Sequence, residues 1–153
     1  MTLDDIVNLV RSFEGTVTQR PREGDGTPEL AWGDAFFYYS PDGSIPTNTQ
    51  PFATIVTKNY PGDELSRLDR PDAFRVNIVA GKQEFHRMLG VPPREAAHAP
   101  QADTDDVLAA HPQYGTAGWL SVVNPSSQTE TRVRELLDAA YHGAKSRYER
   151  RQA

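Results

Sequence analysis

Cysteine is absent from all 153 residues, which removes disulfides, thiolate metal sites, iron–sulfur clusters and cysteine nucleophiles together and suits a reducing compartment. Long apolar runs are missing too: no stretch reaches the roughly 20 apolar residues that a membrane-crossing helix needs. The opening Met1-Thr2-Leu3-Asp4-Asp5 carries no apolar segment of secretory-leader length. A cytoplasmic protein with no membrane partner is therefore expected. Catalytic signatures are scarce as well. There is no G-x-S-x-G elbow and no H-E-x-x-H zinc helix, and Ala80-Gly81-Lys82 lacks the first glycine and the hydroxyl residue of a phosphate-binding loop. His86, His98, His111 and His142 include no i, i+4 pair, so no metal and no other cofactor is expected.

Positive charge is in deficit, with 16 Lys and Arg against 21 Asp and Glu, which argues against a general attraction to phosphate backbones. The exception is the last stretch of chain, where Lys145, Arg147, Arg150 and Arg151 cluster and Arg147 and Arg151 stand one helical turn apart. These four are the candidate contacts should nucleic acid be the partner; basic residues at a helix C-terminus also simply complement its dipole. Asp103, Asp105 and Asp106 could hold Mg²⁺ through water, but they fit better as acidic residues in the first turn of a short helix.

Apolar and aromatic residues are plentiful enough for a core: 37% of the chain is hydrophobic, which with this length predicts a single domain over residues 1–153. Leu3, Ile6, Val7, Val10 and Phe13 recur at helical spacing behind the cap Thr2, and Gly15 stops them. Residues 16–20 are β-prone, residues 22–28 form a glycine- and proline-rich loop, and the aromatic run 32–39 ends in the turn Pro41-Asp42-Gly43-Ser44. Residues 52–57 make another strand. Phe74, Val76 and Ile78 then alternate with Arg75 and Asn77, the pattern of a strand with one buried face. A helix follows over 81–90, then a mobile linker over 94–102, a short helix from Asp103 or Thr104 to Leu108, a strand over 119–123 and a long terminal helix beginning at Ser126 or Ser127. The order α-β-β-β-β-α-α-β-α predicts an α+β fold, a mostly antiparallel sheet of about five strands with helices packed on one face.

The most informative phrase is His111-Pro112-Gln113-Tyr114-Gly115-Thr116-Ala117-Gly118-Trp119, which joins an imidazole, a phenol and two glycines ahead of a strand. His111, Tyr114 and Trp119, with Trp32 and Tyr38 from the aromatic strand, are the candidate ligand-binding residues. His111 with Tyr114 is also the one candidate for acid–base catalysis. The structural alternative has His111 bonded to backbone at a helix end while the aromatics fill the core. The leading expectation is a non-catalytic protein that binds a small molecule or another protein near residues 111–119. A homodimer through a sheet edge or the last helix is compatible with the sequence.

Several phrases in fixed order carry a family resemblance. They are Gly33-Asp34-Ala35-Phe36-Phe37-Tyr38, Pro51-Phe52-Ala53-Thr54-Ile55-Val56, Leu68-Asp69-Arg70-Pro71 leading into Phe74-Arg75-Val76-Asn77-Ile78, and His111-Pro112-Gln113-Tyr114 followed by Trp119 and Val123-Asn124-Pro125. With them the chain resembles an uncharacterised family catalogued as domain of unknown function 6194. More distantly, the order of elements is similar to the YjbR-like proteins, which implies nucleic-acid binding as an alternative function.

Overall fold

The computed structural model describes residues 1–152. Helix α1 (Leu3–Arg11) begins in a capping box in which the Thr2 hydroxyl accepts from the Asp5 N–H and the Asp5 carboxylate accepts from the Thr2 N–H, as the spacing predicts. Strands β1 (Thr16–Gln19), β2 (Ala35–Tyr39), β3 (Ala53–Val56) and β4 (Arg75–Val79) follow, then α2 (Gly81–Leu89), β5 (Leu108–Ala110), β6 (Trp119–Val123) and the long α3 (Glu130–Gln152). Short 3₁₀ turns occupy Glu29–Ala31, Pro93–His98 and Gly115–Ala117. Every strand pair is antiparallel, in the spatial order β1-β2-β3-β4-β6-β5.

Register divides the side chains cleanly. Ile55 faces Val76, which faces Val122, while Ile78 faces Ala53 and Leu120. These residues, with Ala35 and Phe37, bury against Ile6, Val7 and Val10 of α1, Phe85 of α2 and Val133, Leu136, Leu137 and Tyr141 of α3. One apolar core between sheet and helices results, and its burial supplies the main favourable term in folding.

The expected order of elements is present with one strand inserted, so the sheet has six strands rather than about five. The short helix expected from Asp103 or Thr104 to Leu108 does not form, and residues 108–110 instead pair with β6. Leucine and alanine favour helix, but Asp106 takes a left-handed φ of 57°, which ends any helical run, and the ladder to β6 overrides propensity. The carboxylate of Asp106 accepts from the backbone of Ser126, Gln128 and Thr129 and from the Thr129 hydroxyl, so it braces the entry to α3 instead of opening a helix of its own. α3 accordingly starts at Glu130, later than Ser126 or Ser127. The stretch 94–102, expected as a mobile linker, is tied down: Ala96, Ala99 and Ala102 are buried, and Gln101 Nε2 donates to the carbonyls of Ala96 and Ala99.

Candidate functional site

The opposite sheet face carries Arg75 and Asn77 of β4, Thr54 of β3, Phe36 of β2, and Trp119 and Ser121 of β6. Alternation in residues 74–78 predicts that Arg75 and Asn77 meet solvent, yet both are about 1% exposed. Loops cover them, and hydrogen bonds compensate their burial. Arg75 donates from Nη1 and Nη2 to the two Asp63 oxygens (3.0 and 2.7 Å), from Nη1 to Ser66 Oγ (3.0 Å) and from Nε to Asn77 Oδ1 (2.8 Å). Four of the five guanidinium hydrogens are thereby committed, leaving one on Nη2. Asn77 Oδ1 also accepts from Ser121 Oγ, and its Nδ2 donates to Thr54 Oγ1. Burial alone pushes the Asp63 carboxyl up, but the Arg75 fork outweighs it and holds the group below its ordinary value. A charge-neutral polar floor is the outcome.

Above this floor lies a cavity of about 690 Å³. Trp119 and Phe36 rise from the sheet beside it, Tyr60 and Asp63 come from the loop between β3 and β4, and His111, Gln113 and Tyr114 from the loop between β5 and β6. Two glycines let that last loop fit: a Cβ on Gly115 would lie 3.0 Å from Ala96 Cβ, and one on Gly118 (φ 87°) would lie 3.2 Å from the Gly81 backbone. Tyr60 is pinned by its hydroxyl, which donates to the buried Asp34 carboxylate; Asp34 also accepts from Lys58 Nζ at 3.0 Å. Burial, then the neighbouring Asp34, pushes the Tyr60 phenol well above its ordinary range.

His111 is 7% exposed, and its Nδ1 accepts from the backbone N–H groups of Gln113 and Tyr114, both at 3.0 Å. Burial first, and then the Arg75 charge, lower its pKa to about 3 against the opposing pull of Asp63. The ring is therefore neutral, with its proton on Nε2, which has no partner among the described residues. Tyr114 stands 54% exposed at the rim with its ring 4.8 Å from that of His111, and Trp119 lies 6.0 Å from His111.

The structure thus brings His111, Tyr114 and Trp119 together in one cavity and leaves two of their expected companions outside. Tyr38 shares the sheet face of Phe36 but is buried and does not line the cavity; burial pushes its phenol up. Trp32 lines a separate recess with Arg11, Arg20 and Arg22. Arg75, Asn77, Asp63 and Tyr60 were absent from the expected set. The signal for the first two was their place opposite the apolar positions of β4; for the last two, which arrive from a loop, sequence offered none.

Lys145, Arg147, Arg150 and Arg151 sit on the last turns of α3, away from the residues that line the cavity, with the Arg151 guanidinium 6.0 Å from the Tyr148 ring centre. Among the described residues no three His, Cys, Asp or Glu side chains gather as a metal site. Asp105 is paired with Arg70 at 2.9 Å and accepts from Asn124. No helix among the described residues is long and apolar enough to cross a membrane.

No curated protein and no solved structure matches the chain, so the likeness in element order to YjbR-like proteins has no match behind it. A family model described as "Family of unknown function (DUF6194)" matches residues 1–153, the whole length. The chain belongs to that family, DUF6194.

Proposed function

We propose that the protein binds an uncharged, flat small molecule in the cavity over the Arg75–Asn77 face of the sheet, and that its role there is binding rather than catalysis. The observation that carries this reading is the cavity itself: apolar and aromatic walls above a short row of buried polar groups, at a volume of about 690 Å³. Small-molecule sites are typically of roughly 300–1,000 Å³ with this division of labour between walls and floor. Trp119, Phe36 and Tyr114 offer surfaces for a ring. The uncommitted Nη2 hydrogen of Arg75 and the Nε2–H of His111 are donors, so the ligand should present acceptors such as carbonyl oxygens.

Charge supports the same choice. Asp63 already neutralises Arg75, so a carboxylate in the cavity would be desolvated without an unpaired cation to meet it. His111 is poorly suited to acid–base work: with a pKa of about 3 and Nδ1 engaged by two backbone N–H groups, it is a fixed hydrogen-bond donor at neutral pH. Titrating 2-naphthamide into isotopically labelled protein tests the reading. Amide shifts confined to residues 75–77 and 111–119 are expected; shifts scattered over α1 and α3, or none, would end it.

A further inference from the structure

A second site is carried by the recess that holds Trp32. It measures about 470 Å³ and is walled by Arg11 from the last turn of α1, Arg20 and Arg22 beyond the end of β1, and Trp32 ahead of β2. Seven ion pairs occur among the described residues, and none includes Arg11, Arg20 or Arg22. Glu23 lines the same recess without pairing to any of them. In a chain with net charge −5, carboxylates are abundant, yet the three arginines that line this recess form no ion pair.

Arg11 alone would mean little, because a basic residue in a last helical turn complements the dipole. Arg20 is different. Its Nε is buried without any hydrogen-bond partner, and the only other buried side-chain atom so left among the described residues is Thr18 Oγ1, two residues earlier in β1. A buried donor without a partner costs about 1–3 kcal/mol, so the orphaned Arg20 Nε at a recess lined by arginines marks a place where an acceptor is missing from the protein's own atoms. Trp32 is held rigidly to form the wall: its Nε1 donates to the Thr27 carbonyl at 3.2 Å, and its own carbonyl accepts from Lys58 Nζ at 2.7 Å. The neighbouring Gly33 N–H bonds to the Pro21 carbonyl at 3.0 Å, tying the two sides of the recess together.

We propose that this recess binds a small phosphate-bearing anion, with the half-buried Arg20 as its anchor through the buried Nε, Arg11 and Arg22 closing on the oxygens from the rim, and the Trp32 indole beside the rest of the molecule. Guanidinium forks match the tetrahedral oxyanion in geometry and charge, and an indole face accepts a flat or aliphatic substituent. The site is independent of the cavity over Arg75 and needs no function there.

Thermal unfolding of the full chain in inorganic phosphate, against sodium chloride at equal ionic strength, tests this directly. Phosphate should raise the midpoint where chloride does not. In the exposed variants Arg22→Gln and Arg11→Gln, the half-saturating phosphate concentration should rise about tenfold, the loss expected for one charge-assisted contact. Arg20→Gln should abolish the response, and the two exposed variants keep the test sound if that variant folds poorly. Tighter binding of phenyl phosphate than of phosphate would identify an ester, and equal binding the free ion; either supports the site. Equal midpoints in phosphate and chloride, an unchanged response in Arg22→Gln, or retention of duplex DNA without any response to phosphate would overturn it.

Discussion

Arg75 of β4 and Asp63 of the preceding loop meet as a two-pronged ion pair, 2.7 and 3.0 Å between nitrogen and oxygen, sealed between the sheet and its covering loops. The sheet's one buried guanidinium therefore brings no net charge to the cavity above it. The pair also fastens the loop that carries Tyr60 to the centre of the sheet, so the shape of the cavity and the stability of the fold depend on the same bonds.

Removing one partner should be far worse than removing both. Arg75→Met or Asp63→Leu alone leaves a buried charge unpaired and is expected to cost about 3–5 kcal/mol, whereas the double replacement should recover most of that loss. Urea unfolding of the two single variants and the double variant reads the difference. Because the folded Asp63 has a lowered pKa, its contribution is full above the ordinary value of 3.8 and is lost as pH falls through the lower folded value; Asp63→Leu should flatten that acid limb.

His111 predicts a second pH dependence at milder acidity. Its pKa falls from 6.5 to about 3 on folding, so below 6.5 the unfolded chain takes up a proton that the folded chain refuses. Stability should be intact above pH 6.5 and fall by up to about 1.4 kcal/mol per pH unit below it, levelling off once the folded imidazole titrates. Denaturant unfolding at pH 7 and pH 5 should show this slope in the natural protein, and His111→Asn should remove it.

Gly118 offers a purely conformational test. Alanine there must hold φ near 87° and place its Cβ 3.2–3.4 Å from the Gly81 backbone. A loss of about 1–3 kcal/mol is expected from Gly118→Ala, with displaced amide resonances for Tyr114 and Trp119. An equal melting temperature would show that the loop is not held as described.

Legibility in the sequence followed the range of the interactions. α1 and the apolar half of β4 were readable because capping and periodicity act over a few residues, and Thr2, Asp5, Val76 and Ile78 stand where those rules put them. The strand Leu108-Ala109-Ala110 was not foreseen because its state depends on β6, and the helix expected up to Leu108 failed because the role of Asp106 depends on a turn some twenty residues on. For the candidate site, the loop glycines and aromatics of 111–119 pointed to residues that do line one cavity, His111, Tyr114 and Trp119. Arg75 and Asn77 looked like solvent-facing residues because nothing local reveals that Asp63, Ser66 and the loops close over them.

Calorimetric titration of 2-naphthamide and 2-naphthoate, into the natural protein and into Ala117→Phe, bears most directly on the central claim of a neutral ligand in the cavity that Ala117 lines. The amide should bind the natural protein at least about tenfold more tightly than the carboxylate, since the latter brings an uncompensated charge, and the phenylalanine should block both by occupying the space. Equal or tighter binding of the carboxylate, or undiminished binding of the amide to Ala117→Phe, would contradict it.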